Sequence, residues 1–154
     1  MSSTDPDYAR PPISLRAINK ANWQYCIQLQ LAPEQASKLA SNLYSLAEAY
    51  AEPRCQPRGI YAGDMMLGFV MYEFNEYSGA YSIPRFMIDQ RWQGLGYGRA
   101  ALVAVIDALK SEHPKAPILI SLTPDNDAAR RLYTGLGFEE TGQHVHGEDV
   151  LRHP

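Results

Sequence analysis

Three glycines at alternate positions, Gly94, Gly96 and Gly98, stand between the apolar run Phe86-Met87-Ile88 and the helical segment that begins near Ala100. Glycine lets a backbone turn tightly and approach a ligand closely. N–H groups that converge at the positive end of a helix dipole make a cradle for a phosphate or pyrophosphate. Spacing separates the known cradles. A P-loop needs a Lys after its glycines, and none follows here; a dinucleotide fingerprint counted from Gly94 meets Arg99 where its third glycine should stand. The remaining pattern, Gln/Arg-x-x-Gly-x-Gly, is met by Gln93-Gly94-Leu95-Gly96-Tyr97-Gly98.

A second constellation lies downstream, in Asn126-Asp127-Ala128-Ala129-Arg130-Arg131-Leu132-Tyr133. Asn126 and Tyr133 are two helical turns apart, so both can face one cleft. A tyrosine with a pKa of about 10 is a protonated donor at neutral pH. The competing roles are a helix cap for Asn126 and core packing for Tyr133. His144, His146 and Glu148 suggest a metal trio, but zinc sites of that spacing need further ligands, so no metal is expected. Cys26 and Cys55 have no base beside them in sequence and are expected to be structural.

The elements that would position these groups follow from periodicity. Ile13 to Ala17 alternates like a short strand. A helix is expected from Asn22 to about Gln30, and a second from Pro33 to about Tyr50, with Leu39, Leu43, Leu46 and Tyr50 on its apolar face. Pro53 and Pro57 then predict a loop. Strands are expected at Gly59–Ala62, Met66–Phe74 and Ala80–Ile88, and a helix behind the glycines. Ile118 to Leu122 is the continuous apolar type that parallel sheets bury. A helix capped at Asp125 or Asn126 and ended by Gly137 follows, and two strands around Gly147 close the chain. The order is β-α-α-β-β-β-α-β-α-β-β, a mixed α/β sheet in one domain over 13–152 behind a loose tail over 1–12. Pro84 has no N–H to donate, which predicts either a bulge or a local edge in its strand, and a bulge there would help two parallel strands splay apart.

The two motifs together resemble the GNAT superfamily of acyl-CoA N-acyltransferases. Its pyrophosphate loop for coenzyme A matches Gln93 to Gly98, and its second signature, N-x-x-A-x-x-x-Y-x-x-x-G-F, matches at Asn126, Ala129, Tyr133, Gly137 and Phe138. Arg85-Phe86-Met87-Ile88-Asp89 and Glu140-Thr141-Gly142 are further similar to bacterial polyamine (spermine/spermidine, diamine) acetyltransferases. The resemblance implies acetyl-CoA as co-substrate and direct attack of an amine on its thioester. It also implies main-chain contacts from Phe86, Met87 and Ile88 to the pantetheine arm, with the Met87 N–H polarising the thioester. Amides of Gly94, Leu95, Gly96, Tyr97, Gly98 and Arg99 would take the pyrophosphate, Asn126 and Ala129 would flank the arm, and Tyr133 would protonate the departing thiolate. The implied acceptor is a polyamine or diamine, with an aminoglycoside-like drug, an amino acid or a peptide amine as alternatives. A non-catalytic acyl-CoA sensor stands as the rival outside enzymes. Family habit implies a homodimer.

Deprotonating an alkylammonium of pKa near 10.4 at pH 7 costs about 4.6 kcal/mol, so a base is worth having. The resemblance implies a strand carboxylate where Pro84 stands, which turns the search to Glu73 first, then Glu76 or Tyr81 through water. Tyr44, Glu48 and Glu52 recur every four residues on the second helix and could offer an acidic, aromatic face to a cationic amine. In 154 residues, 14 basic and 17 acidic side chains give a net charge of −3, against a general nucleic-acid binder. Two cysteines require no disulfide framework, and no run is long enough to cross a membrane. A cytoplasmic enzyme is expected.

Overall fold

The computed structural model describes residues 11–154, so nearly all of the expected 1–12 tail lies outside the described residues. Strands β1 (Ile13–Ala17), β2 (Cys55–Ala62), β3 (Met65–Asn75), β4 (Ala80–Ile88), β5 (Ile118–Leu122), β6 (Glu139–Val145) and β7 (Glu148–His153) join helices α1 (Trp23–Gln28), α2 (Asn42–Ala51), α3 (Tyr97–Glu112) and α4 (Asp127–Gly135). They build one sheet in the order β1-β2-β3-β4-β5-β7-β6, antiparallel except for β4 beside β5. Element order and fold class are those expected from the sequence.

Two apolar clusters flank the sheet. On one face α1 and the α2 region cover Phe69, Met71 and Met87. On the other, Ala101, Leu102, Val105, Ile106 and Leu109 of α3 recur at helical spacing and bury against β1 and β4, in one cluster with Ile118 of β5, Tyr133 and Phe138. Successive strand residues point to opposite faces, so β4 sends Met87 to one cluster and Ile88 to the other.

Three local expectations are corrected. The second helix does not run from Pro33: a single 3-10 turn forms at Ala36–Lys38, the chain extends through Leu39, and α2 starts at Asn42. Ser41 sets that start, because its side chain accepts from the Tyr44 amide at 3.1 Å, a typical N-cap. The apolar face is as expected only at Leu39 and Leu46, which pack against the core. Asn42 and Ser45 are the buried residues of α2, while Leu43 and Tyr50 are 58% and 92% exposed. Asn42 is held inside by a 2.9 Å bond to the Cys26 carbonyl. Finally, β2 includes Pro57. It is tolerated because β1 pairs only from Arg58 onward, which leaves Pro57 at a local edge.

Candidate active site

Pairing between β4 and β5 covers only Tyr81–Ile83 with Ile118–Ile120. Beyond Ile83 the strands part. Between the Glu73–Ser82 and Met71–Arg85 pairs, Ile83 and Pro84 together oppose the single Tyr72, which is a bulge. The expected bulge at Pro84 and the splay beside it are therefore both present. A cleft of about 680 Å³ opens there, walled by Pro84, Phe86, Met87 and Ile88 of β4, Ser121 and Leu122 of β5, and Tyr133 of α4. That volume is within the range of small-molecule sites.

The glycine loop closes one end. Gly94 and Gly96 sit at φ +75° and +84°, a left-handed conformation that side chains disfavour. Gly96 is the N-cap of α3 and offers no side-chain acceptor to the first turn, whereas Ser41 caps α2 and Asn126 caps α4. A sixteen-residue helix thus presents a positive N-terminus without a protein cap, a setting that fits an anionic ligand. Gln93, Gly94 and Gly98 line the cleft, and Leu95, Gly96, Tyr97 and Arg99 complete the loop outside that lining. Gln93 acts through its side chain, donating at 2.9 Å to both the Ile88 carbonyl and Gln35 Oε1.

At the other wall, Asn126 and Ala129 both border the cleft, and Asn126 Oδ1 accepts from the Ala129 amide at 3.3 Å. The capping role and the cleft position coexist. Tyr133 is 8% exposed with its ring tilted against Phe138 at 5.9 Å. Its hydroxyl has no hydrogen-bond partner among the described residues. Burial, with a smaller contribution from the Glu148 charge, pushes its pKa up to about 12, so it stays protonated.

The proposed base and acceptor residues are not brought to this cleft. Glu73 lies 3.2 Å from Arg54 Nε and takes the Cys55 thiol at 3.7 Å, away from the lining. Tyr81 is engaged at the end of α3, 2.7 Å from His113 Nδ1 and 3.1 Å from Glu112. Tyr44 and Glu48 lie outside the lining, and Arg85 occupies them: its Nη2 is 3.3 Å from Glu48 and its guanidinium sits 5.9 Å from the Tyr44 ring centre. An arginine of this chain therefore sits where a cationic amine was expected.

Two residues were missed. Asp89 is 2% exposed and accepts from the Gln30 amide at 2.9 Å, the Arg91 amide at 3.0 Å and Arg91 Nε at 2.8 Å. Burial alone would raise its pKa; the Arg91 side chain and the two amides outweigh that and hold it below the ordinary carboxylate range. The signal was a lone Asp directly after a buried strand. The sequence pattern places Glu148 only in a metal trio, yet it lines the cleft and accepts from Ser121 Oγ at 2.7 Å. His144 instead meets Asp149 at 3.0 Å. Among the described residues no three His, Cys, Asp or Glu side chains gather to hold a metal.

A family model described as Acetyltransferase (GNAT) family matches residues 21–138, a span that contains the loop, the cleft and Tyr133. The chain belongs to the acetyltransferase (GNAT) family. As a GNAT protein it is an acetyl-CoA-dependent N-acetyltransferase. It is 32% identical over 146 residues to the spermine/spermidine N(1)-acetyltransferase of Bacillus subtilis strain 168, covering 90% of this chain and 96% of that one. Its fold matches that of spermidine N-acetyltransferase from Vibrio cholerae in complex with CoA and spermine, with a TM-score of 0.73, 20% identity, and 91% and 92% of the chains covered. The ribosomal-protein-S18-alanine N-acetyltransferase from Escherichia coli matches at a TM-score of 0.68 and 19% identity over 91% and 90%. The shared GNAT fold thus hosts acceptors as different as a polyamine and a protein. No helix among the described residues is long and apolar enough to cross a membrane.

Proposed function

We propose that this acetyltransferase moves the acetyl group of acetyl-CoA to a primary amine of a small polyamine by direct attack within a ternary complex. The observation that carries the reading is the parting of β4 and β5 immediately after Ile83, which puts an unpaired strand edge, the glycine loop and Tyr133 around one cleft. From the apex at Ile83 to Ile88 is five residues, roughly 16 Å of strand, so the loop end and the apex end are distinct.

Acetyl-CoA, when bound, supplies an activated thioester. The amides of Gly94 to Arg99 take its pyrophosphate at the helix N-terminus. The free edge of Phe86, Met87 and Ile88 receives the arm as a strand edge receives a peptide, with Asn126 and Ala129 opposite. The Met87 N–H expected to polarise the thioester faces β3 instead, because Met87 pairs with Phe69 and the Asp89 amide two residues on donates to the Leu67 carbonyl at 2.8 Å. The amides of Phe86 and Ile88, on the free edge, take that role, and Tyr133 gives its proton to the departing sulfur. Direct attack is supported by the state of the thiols. Cys26 is fully buried with its pKa pushed up to about 12 by desolvation, and neither cysteine lines the cleft.

A polyamine acceptor is supported by the name of the Bacillus subtilis relative and by the cleft's charge: Glu34, Asp125, Asp127 and Glu148 line it against one cation, Lys38. The two buried free thiols accord with a cytoplasmic setting, and the exposed edge strand β6 offers a surface for a second copy in a homodimer. A thiol-release assay with acetyl-CoA and spermidine, spermine, putrescine or lysine tests the reading. Polyamine-dependent release of free CoA is expected, whereas CoA binding without release would leave a sensor.

A further inference from the structure

The reaction needs a group to take the acceptor's proton, and the β4 side of the apex supplies none: Pro84 has no titratable side chain. Four carboxylates line the cleft. Asp125 is engaged 3.9 Å from Lys38. Asp127 opens α4 and is exposed, where the helix N-terminus favours its charge. Glu34 is exposed on the connection between α1 and α2. Glu148 differs in position. It is the first residue of β7, and its Oε2 is fixed at 2.7 Å by the hydroxyl of Ser121. Ser121 is the first β5 residue beyond the last one paired with β4, so Glu148 is pinned at the mouth of the splay, across from Pro84. It shares the lining of the cleft with Tyr133. The next residue, Asp149, is engaged by Arg130 at 2.7 Å and His144 at 3.0 Å.

We infer that Glu148 is the carboxylate that receives the acceptor ammonium and takes its proton, with Ser121 as the residue that positions it. This rests on the acetyl-transfer reading above. The protons balance as follows. Glu148 accepts one proton from the ammonium and passes it to solvent. The freed amine forms the carbon–nitrogen bond as the carbon–sulfur bond breaks, and the Tyr133 proton goes to sulfur to give the free thiol. The second proton lost by nitrogen, as the amide forms, restores Tyr133. Nothing is oxidised or reduced.

The test compares wild type with Glu148→Gln on two amines of similar size, propylamine and trifluoroethylamine. The first is charged at neutral pH, and the second is already uncharged because fluorine withdraws electrons. Loss of a base should lower kcat/KM roughly hundredfold for propylamine and by less than about threefold for trifluoroethylamine, with CoA affinity by calorimetry unchanged. Ser121→Ala should show the same selectivity for the charged amine at smaller size, and it carries the test if Glu148→Gln does not fold. Equal losses on both amines, or no loss on either, overturn the role of Glu148 while acetyl transfer stands. A wild-type enzyme inert toward every amine overturns the acetyl-transfer reading and this assignment together.

Discussion

Asp89 Oδ2 lies 2.9 Å from the backbone nitrogen of Gln30, so one buried carboxylate fastens the end of β4 to the segment between α1 and α2. The Gln90 amide returns the link at 2.8 Å to the Gln30 carbonyl, and Gln93 adds its bond to Gln35. Two walls of the cleft are thereby held in register with the glycine loop.

Asp89→Asn should therefore lower stability by about 1.5–3 kcal/mol at neutral pH, the range for hydrogen bonds to a charged group. The pH dependence has a defined sign. The folded pKa is depressed, so the contribution is complete above the unfolded value of about 3.9 and is lost as pH falls through the lower folded value. Urea melts at stepped pH should show the gap between wild type and variant constant near neutrality and closing in acid. A gap that widens in acid would contradict the assigned charge.

Gly68 meets β4 at very short range: a Cβ there would stand 2.5 Å from the Met87 carbonyl oxygen and 2.9 Å from Ile88 Cδ1. Gly68→Ala must push β3 from β4 and should cost about 2–3 kcal/mol, roughly 5–10 °C in Tm. Calorimetry checks this, and a melting point equal to wild type would show that the two strands yield freely.

Gly94 presents the opposite case, since a methyl group added to its Cα would meet nothing within 4 Å while its φ is +75°. Gly94→Ala should cost about 1 kcal/mol in backbone strain. By moving the loop amides it should raise the Kd for CoA roughly tenfold, since tenfold corresponds to 1.4 kcal/mol. Titration calorimetry with CoA reads this directly.

Tyr133→Phe removes a hydroxyl that bonds to no described residue, so Tm should move little. If that hydroxyl delivers a proton to sulfur, kcat should fall roughly hundredfold with the KM for acetyl-CoA nearly unchanged. Because burial keeps the phenol protonated up to about pH 12, no loss of kcat from its ionisation should appear between pH 7 and 10. An unaltered kcat in the variant would remove the acid role.

Local pattern was enough to determine the order of elements in this chain, the terminator at Gly137 and the glycine loop, and it narrowed the α4 cap to Asp125 or Asn126 and Pro84 to a bulge or an edge. Each depends on backbone chemistry within a few residues: a missing N–H, a left-handed φ, a side chain that caps its own helix. What tertiary structure decided is which charges are already engaged. Glu73 is paired with Arg54 and Glu48 with Arg85, while Asp89 reaches across to Gln30. The α2 face differs for the same reason, because buried Asn42 bonds the Cys26 carbonyl sixteen residues away, a contact the helix's own spacing cannot encode. Glu148 reached the cleft only when β7 inserted between β5 and β6. Pairing partners distant in sequence are chosen by sheet order and packing, and a one-dimensional pattern carries neither.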